Sequence, residues 1–199
     1  MVGREAGMAP EPATTTEDPA GATPEAQAIE ALVRAGRPRD AIAACAAAYA
    51  APIGRLCMAF TGSQAESEEL VQETLIAALC AIGEYRGEGS LKAWLFGIAR
   101  RLAGRHVELR ARRDARLRLA PDPARGPDAG ELALAREEAE RARAALAKLK
   151  PSEREAMVLR YDAGLAFRDV AAACGVDEAT ARKRVSRALA RLRADLGEE

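Results

Sequence analysis

From Ala28 onward, apolar residues return at three- and four-residue steps, the period of helices laid against a core. Ile29, Leu32 and Val33 open the pattern. Ile42, Cys45 and Tyr49, then Ile53, Leu56, Cys57 and Phe60 carry it on, until Thr61-Gly62-Ser63 breaks it. Ser67 has the side chain of an N-cap, and Leu70, Val71, Leu75, Ala78, Leu79 and Ile82 form the apolar stripe of the helix it would start. Glu66, Glu69 and Glu73 are then expected together on the opposite face. A glycine-rich loop from Tyr85 to Ser90 leads into a longer helix whose core face is Leu91, Trp94, Leu95, Ile98 and Leu102, with a basic face opposite.

The run Ala111 to Gly130 contains three prolines and reads as an interdomain linker. Beyond it a helix carrying Ala142, Leu146 and Leu149 is followed by another opening at Pro151-Ser152, with Ser152 and Glu155 at capping-box spacing and Gly164 as its stop. Phe167 to Cys174 then reads as a short helix with Ala171 where two helices would cross, and Gly175 supplies a positive φ for a tight turn. The next helix carries six basic residues and no acid between Ala181 and Arg193, while Val185, Leu189 and Leu192 hold its other face on the core. That is the spacing of a helix-turn-helix, whose second helix offers cations to phosphates and guanine edges in the major groove.

Composition sharpens this picture. Alanine and leucine dominate the 199 residues, aromatics are few and β-branched clusters sparse, so the expected fold class is all-α, with two small helical domains joined by a flexible linker. The expected division is an acidic disordered tail over 1–27, a first domain over 28–114, a linker over 115–135 and a second domain over 136–199. No apolar run of membrane length and no signal peptide stand out, which leads to the expectation of a soluble, cytoplasmic protein. Thirty basic and thirty acidic residues cancel, which alone would argue against nucleic acid, but the charge is segregated. Residues 1–28 hold one Arg against five acids, residues 66–73 hold four Glu, and Lys92 to Arg113 hold seven cations against one Glu. Such blocks suit a protein with more than one charged partner.

Cys45, Cys57, Cys80 and Cys174 are widely spaced and His106 is the single histidine, so no metal motif, cofactor or catalytic set is expected, and the thiols read as buried packing.

With these blocks in view, the chain resembles the extracytoplasmic-function sigma factors, the group 4 members of the bacterial sigma-70 family. The stretch Ser67 to Thr74 is similar to that family's region 2.2, Arg86 to Arg100 to its regions 2.3 and 2.4, and Leu149 to Arg193 to its region 4. The resemblance implies a promoter-specificity subunit that binds core RNA polymerase and promoter DNA, helps melt the duplex, catalyses nothing itself, and is commonly held by an anti-sigma factor. It implies polymerase contacts at Glu69, Gln72 and Glu73. Minus-ten contacts follow at Tyr85, Arg86, Gly87, Glu88, Ser90, Leu91, Lys92, Arg100, Arg101 and Arg105. Minus-35 contacts are implied at Thr180, Arg182, Lys183, Arg184 and Arg187. Arg101 stands where the family commonly has Asn, and Arg105 near its usual Asp; both add charge for phosphate. A LuxR-type regulator would share the helix-turn-helix but has no use for residues 66–113, and a helical enzyme would need acids, bases or nucleophiles that one His and no phosphate loop do not supply.

Overall fold

A computed structural model of the chain describes residues 23–85, 87, 89–117, 144–146 and 148–196. Four helices come first: α1 (Pro24–Arg34), α2 (Pro38–Thr61), α3 (Gln64–Ala81) and α4 (Leu91–Leu117), with a 3-10 turn at Ile82–Glu84. After residues outside the description come α5 (Pro151–Met157), a π-helical turn (Val158–Asp162), α6 (Phe167–Cys174) and α7 (Glu178–Leu196). No strand occurs among the described residues, in keeping with the all-α expectation.

Helix α1 starts at Pro24, where Thr23 caps it by accepting from the Ala26 amide at 3.3 Å, so it takes in residues that composition had assigned to the tail. The rest of that tail up to residue 22, and most of the 115–135 linker, lie outside the described residues. Helix α4 runs on to Leu117, past the start of the run read as linker.

α2 is the central element of the first unit, packed against α1, α3 and α4. It is 24 residues long and apolar enough to meet the length and composition of a membrane span, which corrects the expectation that no apolar run of that length stands out. Its packing explains that composition: Ile42, Cys45, Tyr49, Ile53, Leu56 and Cys57 are all buried among neighbouring helices. Gly62 ends it at φ 67°, its amide bonded to the Met58 carbonyl.

α3 corrects three expectations. Its N-cap is Ser63, whose side chain accepts from the Glu66 amide, not Ser67. Ser67 is buried and donates to the Gly54 carbonyl of α2 at 2.6 Å, where the glycine allows the helices to approach closely. The buried stripe is Ser67, Leu70, Thr74 and Ala78, with Thr74 satisfied by the Leu70 carbonyl at 2.6 Å, whereas Leu79 is exposed. Two hydroxyls can enter this core because each finds a backbone acceptor.

The second unit packs α5 and α6 on α7. Its helix-turn-helix is as the spacing predicts: Ala171 is buried and Gly175 has φ 65°. The turn closes as a Schellman motif, with Val176 N–H on Ala171 and Gly175 N–H on Ala172. The capping box at Ser152 and Glu155 does not form. Lys150 occupies the N-cap position without a side-chain bond, Pro151 starts the helix, and Glu155 is buried, turned toward α4.

The two units share one hydrophobic cluster. α6 crosses α4, and α5 with its π turn rests on α2. Over Ala93 to Ala99, α4 is therefore buried almost all round, except toward the half-exposed Trp94.

Cys45, Cys57 and Cys174 are buried, but Cys80 is exposed, so the expectation of four buried thiols holds for three. Burial pushes the Cys45 thiol from its ordinary 9.0 up to about 11 and the Cys57 thiol up to about 12. A thiolate-directed reagent at pH 8 should therefore modify the native protein once, at Cys80, and reach all four cysteines only in denaturant, as intact mass will read. The same shifts oppose folding in alkali: stability from keeping these thiols neutral is complete below pH 9.0 and is lost as pH rises through about 11 to 12.

Candidate nucleic-acid interface

Three surfaces carry the residues singled out from the sequence. On α3, Glu69, Gln72 and Glu73 are all exposed. Glu66 is not with them. Its two carboxylate oxygens each lie 3.0 Å from Arg110 Nη1, and Oε2 is 3.5 Å from His106 Nε2, so it ties α3 to α4. The exposed line instead continues into Ile76 and Leu79, 63% and 39% exposed, giving an acidic strip with an apolar end. Sequence periodicity missed the apolar end because Leu79 fits a helical stripe nearly as well as Ala78 does. Ile76, which falls outside the stripe, was the available signal.

The second surface is the loop before α4 and that helix's first turns. Gly87 and Gly89 hold φ values of 74° and 84°, which side-chain-bearing residues rarely adopt. Tyr85 donates to the Gly89 carbonyl at 2.7 Å, and its ring lies 5.5 Å from the Trp94 ring, fixing the loop on the helix. Arg86 and Glu88 lie outside the described residues. Ser90 caps α4 by accepting from the Ala93 amide at 3.1 Å while donating to Asp169 Oδ2 at 2.9 Å. Leu91 is buried in the core. Lys92 is half-buried with Nζ 5.4 Å from the centroid of the Tyr49 ring. Burial pulls its ammonium below the ordinary value, opposed by Asp169 and then Glu25. Arg100 pairs with Glu155. Arg101 and Arg105 are exposed, Arg101 beside a groove of about 370 Å³ that Trp94, Ile98 and Glu84 also line.

On α7, Ala181, Val185 and Ala188 are buried and Arg182, Lys183 and Arg187 are exposed, with Arg184 between them in exposure. Arg182 is pre-positioned: Nη2 lies 2.5 Å from Glu178 Oε1 and the guanidinium sits 4.3 Å from the centroid of the Phe167 ring. Arg160 approaches the same ring at 4.6 Å, so Phe167 carries two cations. Thr180 has both its amide and its hydroxyl on Asp177, each at 2.7 Å. Asp177 is thus the cap that starts α7, a residue the sequence reading passed over although Asp before a helical run is an N-cap signal. Those bonds hold its carboxyl below the ordinary value of 3.8, and their contribution, present above that value, is lost as pH falls through the depressed one. Among the described residues no cluster of His, Cys, Asp or Glu is gathered for a metal ion.

A first helical unit with an acidic exposed strip and a basic helix, followed by a helix-turn-helix, is the layout of a sigma factor. Residues 46–113 match the family model described as Sigma-70 region 2, and residues 139–192 match Sigma-70, region 4. The ECF RNA polymerase sigma factor EcfG of Rhodopseudomonas palustris is 35% identical over 142 residues, covering 69% of this chain and 75% of that protein. The ECF RNA polymerase sigma factor SigC of Mycobacterium tuberculosis is 31% identical over 144 residues, 69% of this chain and 74% of that protein. The sigma factor RpoE, solved with the anti-sigma factor NepR from Bartonella quintana, superposes with a TM-score of 0.62 at 29% identity, over 77% of this chain and 95% of that one. CnrH, solved with the cytosolic domain of CnrY, shares the fold with a TM-score of 0.63 at 23% identity, over 88% of this chain and 99% of that one. The chain belongs to the extracytoplasmic-function group of the sigma-70 family, and its work is to direct RNA polymerase to promoters.

Proposed function

We propose that the acidic strip of α3 docks on core polymerase through Glu69, Gln72 and Glu73, with Ile76 and Leu79 as its apolar end, and that the other two surfaces divide the promoter between them. The loop and first turns of α4 take the minus-ten element: Tyr85, Arg86, Gly87 and Glu88 meet it from the loop, and Ser90, Lys92, Arg100, Arg101 and Arg105 supply donors. Leu91 anchors the loop in the core instead of meeting DNA. On α7, Arg182, Lys183 and Arg187 read the minus-35 element, with Arg184 and Thr180 at the edges.

The observation that carries this reading is the division of α7 into a buried face of Ala181, Val185 and Ala188 and an exposed face of Arg182, Lys183 and Arg187. A helix so divided can rest in a major groove without exposing its core side. The protein acts in the cytoplasm, as a binding subunit and not an enzyme, and is held in check by an anti-sigma factor.

Transcription reconstituted with purified core polymerase on a genomic fragment library tests the assignment. Start sites sharing one minus-35 and one minus-ten sequence are expected. Transcripts starting at unrelated positions, or none above core polymerase alone, would overturn it.

A further inference from the structure

Phe167 opens α6 in a buried position, and guanidinium groups from two other elements lie against its ring. Arg160, from the π-helical turn, is also buried; it donates from Nη1 to the Leu165 carbonyl at 2.9 Å and holds its Cζ 4.6 Å from the ring centroid. Arg182, from α7, holds its Cζ 4.3 Å from the same centroid but is exposed. One ring thus joins a cation of the core to a cation of the surface.

Glu178 settles which edge of Arg182 is presented. Its Oε1 accepts from Nε at 3.0 Å and from Nη2 at 2.5 Å, so the side edge of the guanidinium is engaged within α7. A guanidinium carries its donors in a rigid planar fork. With the side edge occupied, one hydrogen on Nη1 and one on Nη2 stand as a parallel pair at the far end. Such a pair matches O6 and N7 of guanine, and no other base shows two acceptors side by side in the major groove. Glu178 also lies one turn nearer the N-terminus of α7, the end that a recognition helix sets against base edges.

We propose that Phe167, backed by Arg160, determines specificity without touching DNA: together with Glu178 it fixes Arg182 so that the far end of the guanidinium selects one guanine of the minus-35 element. The proposal rests on the reading of α7 as the minus-35 helix given above. It adds the base that is chosen, and it makes Phe167 a positioning residue that acts through Arg182. An arginine without such support is ordered only as it binds, which weakens binding to the base that needs the fixed geometry by roughly two- to tenfold. Here that ordering is complete before DNA arrives.

The test is transcription by core polymerase with each full-length variant, from promoters randomised across the minus-35 element, with circular dichroism measured alongside. Phe167→Leu keeps an apolar side chain in the site and removes the ring face, Phe167→Tyr keeps the ring, and Glu178→Ala alters an exposed side chain whose loss leaves the core untouched. Arg182→Ala should erase a guanine preference at one position. Phe167→Leu and Glu178→Ala should each weaken that same preference by about two- to tenfold and leave the other positions as they are. Phe167→Tyr should retain it, and Phe167→Leu added to Arg182→Ala should change it no further. An equal loss at all positions with Phe167→Leu, or wild-type preference in both Phe167→Leu and Glu178→Ala, would overturn the support. If Phe167→Leu is unfolded, wild-type preference in Glu178→Ala overturns it by itself. A base other than guanine at the position that Arg182→Ala flattens would overturn the edge assignment. Wild-type preference in Arg182→Ala itself would remove the reading of α7 at that side chain, and the proposal with it.

Discussion

Replacing Glu69 and Glu73 together by lysine should abolish association with core polymerase while the fold survives. Both side chains are exposed on α3, away from the buried line of Ser67, Leu70, Thr74 and Ala78, so neither replacement disturbs the packing of α2 on α3. If the strip meets a basic surface, each reversal exchanges an attraction for a like-charge contact. Such juxtapositions cost several kcal/mol across an interface. At about 1.4 kcal/mol for each factor of ten, the double variant should bind at least about a hundredfold more weakly. Co-purification with core polymerase and a circular dichroism spectrum measured in parallel decide the matter: an unchanged spectrum with unchanged co-purification would remove α3 as the docking face. Ile76→Ser in the same assay separates the two ends of the strip, since it removes apolar area without touching charge.

The second large effect is expected on α7. A side chain bonded to a base edge carries about 1–3 kcal/mol of discrimination, or roughly five- to 150-fold between right and wrong base, while one that only neutralises phosphate changes affinity for all sequences alike. Arg182→Ala, Lys183→Ala and Arg187→Ala should therefore each flatten preference at particular minus-35 positions in a promoter library. Arg182 should show the sharpest loss, because Phe167 and Glu178 hold its guanidinium in place before DNA arrives. Thr180→Ala should behave otherwise. Its hydroxyl and amide are engaged by Asp177, so the change loosens the first turn of α7 and weakens every promoter to a similar degree. Wild-type preference in all three cation variants would mean that another part of the chain reads this element.

The parts of the molecule legible in the sequence are those decided by neighbours within a few residues. Gly175 had to be a turn because the chain needs a positive φ there, and Ala171, expected at the contact between two helices, is buried. The exposed charges of α7 and of α3 followed from the same helical period. Short-range rules also failed in identifiable places. Ser63 and Ser67 are both acceptable caps by type, and only the nearness of α2 draws Ser67 to the Gly54 carbonyl.

Glu155 shows the limit most directly. At three residues beyond Ser152 it has the spacing of a capping box, yet it is buried against Arg100, because a charge taken out of water needs an opposite charge more than a helix end needs a second cap. The pairs that join the units, Ser90 with Asp169 and Arg55 with Asp162, are separated by 79 and 107 positions. The sequence by itself determined the helices, the turn between α6 and α7, and which faces carry charge, since backbone torsions and helical period are local properties. Only the tertiary structure decided which carboxylate meets which donor and that the side of α4 carrying Gly97 lies against α6, because those choices depend on surfaces brought together from distant parts of the chain.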